Sequence, residues 1–418
     1  MSCDAKPRVK VGVVGCGVVA SAYYLPYLIQ MDTAELVAVC DRDIERAWAC
    51  QRLFGAPETY EDYDVMLQRA DIEAVLILTG PGTHVDFTLS AISHDKHVLL
   101  QKPMALTLAE ARAIATATRQ SRLKVLIEPS ENSLLNPQVA QVRQLIDRGV
   151  LGDPYWFQYF DPRPEAQHPS LGGNPYGADA FYDEESGGEL FDYPYAPTLI
   201  VSLLGACKSV TGLAKLSIPK RQIVPESDYN RFLNEATDPF EANYWEVVVN
   251  QPRSQPIQMT APDNVFSLYE MENGFTGVFH VGRLALPTLP GTGSGGLQVF
   301  GSEGNLIMAN GGHFASVITR RTELLPGFDR DGWYHVEPIG DLSRAKWPIP
   351  VPGGFNYYHA STQHFIECIL RDQDPVLNVE WGLHITEMMT GAMESSRMGR
   401  RYGMTTAVPA HPREEIRL

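Results

Sequence analysis

The feature that most constrains the fold is a glycine-rich turn near the N-terminus. Residues 9–14 form an apolar run typical of a buried strand, residues 15–20 read G-C-G-V-V-A, and a helical pattern follows over 20–31. A turn of this kind brings backbone N–H groups at the start of a helix close to a pyrophosphate. The pattern therefore predicts dinucleotide binding. The candidate residues in the turn are Gly15, Gly17, Val18 and Val19.

An acidic residue supports the same prediction. Asp41 follows the next apolar run and lies 21 residues after Ala20. A carboxylate at this spacing is placed to accept hydrogen bonds from a ribose diol. It favours NAD over NADP because it would repel a 2′-phosphate, although the neighbouring Arg42 softens that repulsion. We therefore expect NAD as the cofactor, with Asp41 and Arg42 near its ribose.

The first 130 residues alternate apolar runs with helical patterns. Strands are predicted at 9–14, 35–40, 74–78, 97–100 and 124–127, and helices at 20–31, 44–54, 85–93 and 108–120. Continuous apolar strands that alternate with helices indicate a parallel sheet covered on both faces. The fold class is therefore α/β, with a doubly wound domain over residues 1–129.

Two further segments lie at predicted carboxyl ends of parallel strands, where ligands bind in such sheets. Thr79 and His84 belong to T-G-P-G-T-H after the strand at 74–78. They either line the cofactor crevice or form a helix-capping turn with His84 in the first helical turn. Both interpretations stay open from the residues alone.

The second of these segments is Gln101-Lys102-Pro103, after the strand at 97–100. Proline restricts the residue before it to extended geometry, so Lys102 has a fixed approach. A lysine beside a nicotinamide can hydrogen-bond a reacting hydroxyl group. The alternative is a surface lysine that follows a strand.

The rest of the chain differs in composition and in its secondary-structure pattern. Residues 161–188 form a loop rich in Pro, Gly and Asp, with Tyr176 and Tyr182 among its aromatics, and a loop of this length is usually functional or disordered. Asn273-Gly274 between two β-rich runs predicts a type I′ hairpin. We expect a second α+β domain over 130–418 with a mostly antiparallel sheet. Two closing helices within 357–398 are expected near the domain junction.

Composition limits which kinds of binding partner and which cellular compartment we expect for this chain. The formal net charge is −16, which disfavours non-specific binding to nucleic acid or anionic membranes. Six scattered cysteines predict a reduced intracellular thiol set. No signal-peptide pattern or long apolar run is visible, so we expect a cytoplasmic protein. No metal site is predicted, since His359 and His364 lie five residues apart, off the spacing of a helical ligand pair.

A last motif reads S-G-G-E-L-F-D over residues 186–192 and ends in Asp192. An aspartate after a glycine pair, at the entry to a helix, is either an N-cap or a catalytic carboxylate. From the residues alone, the capping role is favoured.

Together these segments resemble the glucose–fructose oxidoreductase/inositol dehydrogenase (Gfo/Idh/MocA) family. The segments that carry the resemblance are V-G-V-V-G-C-G-V-V-A, A-V-L-I-L-T-G-P-G-T-H, D-K-H-V-L-L-Q-K-P-M-A-L-T-L-A-E-A, G-V-L-G-D-P and S-G-G-E-L-F-D. The resemblance implies a Rossmann domain followed by a domain with a large open sheet, which often mediates homodimers or homotetramers. It also implies oxidation or reduction of a secondary alcohol of a sugar or cyclitol with NAD(P).

The resemblance also implies roles for single residues. Lys102 matches the lysine of the family's E-K-P motif, which contacts the nicotinamide ribose and the substrate hydroxyl. Asp192 matches the aspartate of the second motif, and this raises it to a site residue. Two positions depart from the family: Gln101 stands where glutamate is usual, and Ala196 stands where the acid/base histidine is usual.

Tyr195, next to Ala196, is the favoured substitute for that histidine, because a phenol beside an ammonium can act as an acid/base group. Tyr193 is a weaker candidate, and the alternative is that both tyrosines only pack or bind sugar. The remaining residues expected around a sugar substrate are Tyr176, Tyr182, Asp161, Arg163, Asp179 and Asp183.

Three functions remain open from the sequence. The favoured one is an NAD(P)-dependent dehydrogenase that acts on a sugar, glycoside or cyclitol. The second is a redox-neutral glycosidase or lyase in which NAD oxidises C3 transiently and the hydride returns after elimination. The third is a non-catalytic NAD-binding sensor.

Overall fold

The structure is a computed structural model. It describes residues 7–69, 71–130, 132–164, 183, 188, 194–221, 257–285, 296–309, 315–325, 334–336 and 357–408. Among these residues, no helix combines the length and apolar character needed to cross a bilayer.

The first sheet has six parallel strands in the order β3-β2-β1-β4-β5-β6. The strands are β1 (Val9–Val14), β2 (Ala34–Cys40), β3 (Glu58–Tyr60), β4 (Ala74–Ile77), β5 (His97–Leu100) and β6 (Val125–Ile127). This order is that of a Rossmann fold. The chain adds β2 and β3 on one side of β1 and β4 to β6 on the other, and ligands bind at this switch point between β1 and β4. The predicted doubly wound sheet is confirmed. β3 was not predicted, because its three residues are exposed or half-buried and form no apolar run.

The helix after the glycine turn differs from its prediction. The backbone forms a π-helix over Ala20–Tyr24, followed by a short α1 (Leu25–Leu28), in place of one helix over 20–31. The Leu25 N–H donates to the Ala20 carbonyl, five residues back. Pro26 has no N–H to continue a regular ladder, and π-turns of this kind often occur at functional sites.

Further helices cover the first sheet; three of them begin within one residue of their predicted starts, whereas the one at Tyr63–Leu67 was not predicted. They are α2 (Ile44–Phe54), α3 (Tyr63–Leu67), α4 (His84–Ser93) and α5 (Leu108–Arg119). Thr107 and Glu110 form a capping box at the start of α5, which satisfies two backbone N–H groups. The next helix is α6 (Pro137–Asp147), where the Asn136 side chain accepts the Gln138 N–H at 3.0 Å as an N-cap and Pro137 takes the first helical position.

The second sheet has, within the described residues, nine strands in the order β16-β15-β14-β13-β7-β12-β11-β8-β17. The strands are β7 (Pro154–Pro164), β8 (Cys207–Lys215), β11 (Asn264–Met271), β12 (Thr276–Ala285), β13 (Gly296–Gly301), β14 (Gly304–Ala309), β15 (Ala315–Thr319), β16 (Tyr334–Val336) and β17 (Tyr402–Gly403). β9 (Lys220–Arg221) and β10 (Ile257–Gln258) form a separate pair. β7 and β12 pair in parallel, and every other neighbouring pair of the nine is antiparallel. The predicted mostly antiparallel sheet is confirmed.

The turn between β11 and β12 corrects one expectation. The Met271 N–H donates to the Phe275 carbonyl and the Gly274 N–H to the Met271 carbonyl, so the loop has three residues. Gly274 has φ +93°, whereas Asn273 does not adopt positive φ. A type I′ turn needs positive φ at both central residues, so that prediction is wrong. The geometry is that of a three-residue hairpin with glycine in the left-handed position.

The two faces of the large sheet have different environments. Phe157, Tyr159 and Phe279 on the inner face are buried in the core. The outer face carries exposed apolar side chains, which are Trp156, Phe160, Leu213, Phe266 and Leu268. Trp156 stacks on Phe300 with ring centroids 4.5 Å apart. An apolar face this broad is typical of a contact surface.

Three further helices of the described residues pack on these elements. α7 (Tyr195–Leu204) packs on α6, and α8 (Tyr357–Arg371) contacts the π-helix, β1 and β5. α9 (Val379–Met398) contacts α5 and β6 on one side and β8 on the other. The first residue of α7, Tyr195, is thereby brought to Lys102 at the carboxyl edge of the parallel sheet.

Candidate active site

The glycine turn leaves β1 at the switch point of the parallel sheet. Gly15 has φ +91°, and a Cβ there would lie 2.7 Å from the Leu78 carbonyl oxygen, so only glycine fits. Gly17 has no heavy atom within 4 Å of the place where a Cβ would stand. Val18 is buried and Val19 half-buried at the helix entry. The turn therefore touches protein through Gly15 and is open above Gly17.

Asp41 binds the turn from the end of β2. One carboxylate oxygen accepts the Cys16 N–H at 2.7 Å, and the other accepts the Asp43 N–H at 2.9 Å. The side chain is buried, whereas that of Arg42 is exposed. Each carboxylate oxygen can accept a second hydrogen bond, so a ribose diol can share this group.

These residues fit a dinucleotide. The open space above Gly17, the N–H groups at a helix start and the carboxylate at the end of β2 are the three elements that a pyrophosphate and its ribose require. Among the described residues, no group of three or more His, Cys, Asp or Glu side chains is arranged to hold a metal ion.

His84 joins the ends of β4 and β5. Its Nδ1 lies 2.7 Å from the Pro103 carbonyl oxygen and its Nε2 lies 3.0 Å from the Thr79 carbonyl oxygen. The ring is fully buried, and burial together with the charge of Lys102 lowers the pKa of the imidazole. Both ring nitrogens face backbone, which favours the interpretation of a structural turn. The Thr79 hydroxyl bonds that of Thr83 at 2.7 Å.

Lys102 stands at the end of β5, and the Lys102–Pro103 peptide bond is cis. Its side chain is buried, which excludes a simple surface lysine. Its Nζ lies 5.0 Å from the centroid of the Tyr195 ring, a cation–π contact. The structure therefore brings together two of the predicted site residues, one from each sheet region.

Gln101 takes part in a hydrogen-bond chain that the sequence did not reveal. Its Nε2 donates to the Tyr24 hydroxyl at 2.6 Å, and that hydroxyl donates to Glu128 Oε1 at 2.8 Å. Its Oε1 accepts the Lys102 N–H at 3.1 Å. The chain joins the π-helix, the end of β5 and the end of β6, and every member is buried.

Glu128 is a buried carboxyl group surrounded by donors. Besides Tyr24, the Ser130 N–H donates to its Oε2 at 2.5 Å. Burial raises the pKa of Glu128, and hydrogen bonds from Ser361, Tyr24 and Ser130 oppose that rise. Burial, and then the charge of Glu128, raises the pKa of Tyr24 well above its usual value, so the phenol keeps its proton.

Tyr195 is the first residue of α7, and its neighbour has a different environment. Asn132 donates its side-chain N–H to the Tyr195 carbonyl oxygen at 2.9 Å, which fixes the start of the helix. Ala196 is buried in the apolar core. The ring beside Lys102 is therefore that of Tyr195, while the position of the family's histidine is turned into the core.

Several predicted site residues fall outside the described residues: Tyr176, Asp179, Tyr182, Asp192 and Tyr193. The side chain of Arg163 is not described either. Asp161 is buried on β7, and Asp183 accepts a hydrogen bond from the Thr260 hydroxyl at 3.1 Å.

Sequence comparisons match both halves of the chain to one family. Residues 9–128 match the model of the GFO_IDH_MocA oxidoreductase family, described as an NAD-binding Rossmann fold. Residues 139–307 match the model of the GFO/IDH/MocA C-terminal domain. Together these segments cover more than half of the chain.

Curated relatives match over shorter segments. A D-apiose dehydrogenase of Paraburkholderia graminis is 33% identical over 149 residues, which are 36% of this chain and 39% of the relative. A dTDP-3,4-didehydro-2,6-dideoxy-alpha-D-glucose 3-reductase of Streptomyces violaceoruber is 30% identical over 47% of this chain and 54% of the relative. An inositol 2-dehydrogenase of Salmonella paratyphi B is 28% identical over 35% and 43%. The chain spans about half or less of the length of these relatives.

Solved structures match over nearly the whole chain. A levoglucosan dehydrogenase in complex with NADH superposes with a TM-score of 0.74 at 18% identity, covering 96% of this chain and 100% of the other. An NAD binding oxidoreductase from Klebsiella pneumoniae gives a TM-score of 0.73 at 20% identity, with the same coverage. At these identities the likeness establishes a shared fold.

Proposed function

This chain belongs to the Gfo/Idh/MocA oxidoreductase family, and from that premise we propose that it transfers a hydride between NAD and a secondary alcohol of a sugar, glycoside or cyclitol. The observation that carries the proposal is the buried Lys102 at a carboxyl strand end, with its Nζ 5.0 Å from the Tyr195 ring. The named activities of the relatives support the substrate class, since they act on D-apiose, a deoxysugar nucleotide and inositol.

Each residue has its own role in the proposed reaction. The nicotinamide ring, when bound, would accept or donate the hydride. The N–H groups of the 15–20 turn hold the pyrophosphate, and Asp41 accepts hydrogen bonds from ribose hydroxyls. Lys102 donates a hydrogen bond to the oxygen of the reacting alcohol and orients it. On oxidation the phenolate form of Tyr195 takes the proton that leaves this oxygen, and on reduction the phenol returns it.

We propose NAD as the preferred cofactor over NADP. Asp41 would face the 2′-phosphate of NADP with a like charge, and Arg42 is exposed beside it. The levoglucosan dehydrogenase neighbour is described in complex with NADH.

A panel of sugars tests the proposal. Purified protein is incubated with NAD and, separately, pentoses, inositols, anhydrosugars and nucleotide sugars, and NADH formation is followed by absorbance. We expect turnover with at least one of these classes. Tyr195→Phe should lower kcat by about 10²-fold and remove one ionisation from the pH profile of kcat, because a phenyl ring carries no proton. Ala196→Ser is the matched control and should keep that ionisation.

The burial of Ala196 favours a second candidate, because no histidine stands at the usual acid/base position. A redox-neutral glycosidase or lyase would use bound NAD for transient oxidation of the sugar at C3, with elimination before the hydride is given back. Cleavage of a glycoside without accumulation of NADH would identify this activity. Absence of any hydride exchange with labelled NADH across the panel would instead favour the sensor.

We also propose that the outer face of the nine-stranded sheet holds subunits of a homodimer or homotetramer together. Phe266 and Leu268, which lie on β11, are 40% and 55% exposed on this face. Leu268→Asp would place a charge in this face and should yield monomers in light scattering coupled to size-exclusion chromatography. Leu370→Asp, on the exposed side of α8, is the control and should leave the mass unchanged. A monomeric parent protein would contradict the proposal.

Two expectations about organisation remain proposals. Domains at 1–129 and 130–418 agree with the two family matches, which end at residue 128 and begin at residue 139. A cytoplasmic location agrees with the cysteines of the described chain, which are buried free thiols: Cys16, Cys40, Cys50, Cys207 and Cys368.

A further inference from the structure

The amide of Gln101 has a separate partner for each of its two ends. Its oxygen accepts the backbone N–H of Lys102, and its nitrogen donates to the Tyr24 hydroxyl. The acceptor therefore faces the lysine and the donor faces the phenol. Since the oxygen of Gln101 holds the peptide group of Lys102, the orientation of this amide determines how Lys102 leaves β5.

The phenol of Tyr24 determines the orientation of the amide. It has one proton, and it already accepts a hydrogen bond from Gln101, so its proton goes to Glu128 Oε1. Glu128 in turn accepts the Ser130 N–H through its other oxygen. The donors run in one direction only, from Gln101 through Tyr24 to Glu128.

A glutamate at position 101 would conflict with this arrangement. Two buried carboxylates would then flank one phenol, and Tyr24 has a single proton to offer them. Two negative charges separated by a single hydroxyl group force one of the carboxyl groups to take up a proton. Gln101 therefore suits a structure in which the carboxylate stands at Glu128.

We propose that Glu128 is a positioning residue for Lys102, which acts through Tyr24 and Gln101 and replaces the carboxylate that the family usually carries just before this lysine. The carboxylate stands at the end of β6 instead of β5. The role assigned to Lys102 in hydride transfer rests on the proposed function, whereas the interdependence of Gln101 and Glu128 does not.

The reciprocal exchange of residues 101 and 128 satisfies every hydrogen bond that links the Lys102 N–H, residue 101, Tyr24, residue 128 and the Ser130 N–H. In Gln101→Glu/Glu128→Gln, the carboxylate at 101 accepts the Lys102 N–H and the Tyr24 hydroxyl. The amide at 128 donates to Tyr24 and accepts the Ser130 N–H. Each single substitution instead leaves one pair of like groups facing each other. The double variant should therefore recover what each single variant loses.

The experiment is a double-mutant cycle with three measurements. The first is the equilibrium constant of unfolding in urea, in which the coupling between the two substitutions should be at least tenfold. The second is the labelling rate of Lys102 with formaldehyde and borohydride, read by mass spectrometry; it should change in both single variants and return in the double variant. The third is kcat on the best sugar, which should fall at least tenfold in each single variant and recover to within threefold, with KM for NAD changed less than threefold.

Matched controls locate the coupling. Glu387 is another buried carboxylate, held by the Thr405 and Thr406 N–H groups at 3.0 Å and 2.7 Å. Gln101→Glu combined with Glu387→Gln should give additive changes in unfolding. Tyr24→Phe removes the connecting hydroxyl, and in that background Gln101→Glu and Glu128→Gln should also become additive.

The outcomes separate the two proposals. An additive cycle between positions 101 and 128 overturns the inference, as does a coupled cycle in which Lys102 labelling is unchanged in the single variants. Where a sugar is turned over, unchanged kcat in both single variants also overturns the positioning role. Absence of turnover on every sugar contradicts the proposed function alone, because the unfolding and labelling measurements need no substrate.

Discussion

The two ends of the site along the parallel sheet are built in different ways. At the nucleotide end, backbone N–H groups of the 15–20 turn and one carboxylate form the site, and the contacts lie close in sequence. At the lysine end, side chains from the π-helix, β5, β6 and α7 meet, and residues more than 100 positions apart bond each other. The first end follows a general rule of the fold, whereas the second depends on which side chains this chain carries.

The largest effect expected at either end is the loss of Lys102. Lys102→Met keeps the length of the stem and removes the ammonium group. We expect turnover to fall by about 10²–10⁴-fold, because the reacting hydroxyl loses its charged donor. NADH binding, measured by fluorescence titration, should weaken far less than turnover, because the pyrophosphate and ribose contacts at the other end of the site remain.

Lys10→Met is the control for this variant, since Lys10 lies on the surface and bonds Asp71. Its turnover should equal that of the parent protein. More than about 1% of the original turnover in Lys102→Met would contradict a catalytic role and would make the two ends of the site alike.

A pair of glycine variants examines the nucleotide end. Gly15→Ala places a methyl group 2.7 Å from the Leu78 carbonyl oxygen at φ +91°, so we expect a loss of about 1–3 kcal/mol in the free energy of unfolding. Gly17→Ala meets open space and should change that free energy by less than about 0.5 kcal/mol.

NAD affinity measured by calorimetry completes the test. Gly17→Ala should weaken binding at least tenfold, because the added methyl group occupies space that the pyrophosphate needs. Unchanged affinity in Gly17→Ala would mean that the cofactor lies elsewhere, and that this end of the site is only a turn.

Cofactor choice gives a smaller effect. Asp41→Asn removes the negative charge that would face a 2′-phosphate, so the ratio of NAD to NADP affinity should fall about tenfold. Glu45→Gln on the exposed start of α2 makes the same change of charge and should leave the ratio intact. A ratio that stays constant in Asp41→Asn would assign the preference to another residue.

The smallest effect is a pH dependence at the lysine end. The pKa of Glu128 is raised, so the folded protein binds more protons than the unfolded chain above the ordinary value of 4.5. Stability should therefore fall as pH rises from 4.5 through the raised pKa, by about 1.4 kcal/mol for each unit of the rise. Urea unfolding across this range measures it, and Glu128→Gln should remove this component of the slope. An identical slope in both proteins would place the titrating group elsewhere.

The difference between the two ends also explains what the sequence could predict. Gly15, Gly17 and Asp41 are recognisable because their contacts follow from chain geometry within one strand–helix–strand unit, from β1 to the end of β2. Lys102 was recognisable because it ends an apolar strand and precedes a proline. Both features are local.

Tyr24 and Glu128 could not be assigned in the same way. The π-helix rotates Tyr24 relative to a regular helix, and residue propensities do not predict a π-helix at this position. Glu128 did leave a signal, since Glu-Pro after the strand at 125–127 repeats the pattern of Lys-Pro after the strand at 97–100. The pairing of Glu128 with Tyr24 depends on packing between distant segments. The type I′ turn was misassigned for a related reason, because Asn-Gly fits two hairpin geometries.

His84 makes the two ends of the site compete for one hydrogen atom. A neutral imidazole has a single N–H, yet its nitrogens face the carbonyl oxygens of Thr79 and Pro103. At any moment only one of these carbonyls receives a donor, and the other faces a lone pair. A change in the cofactor-side turn that favours donation to Thr79 withdraws the donor from the turn that follows Lys102. A change of the His84 tautomer therefore alters the hydrogen bonding of both turns without displacement of a heavy atom.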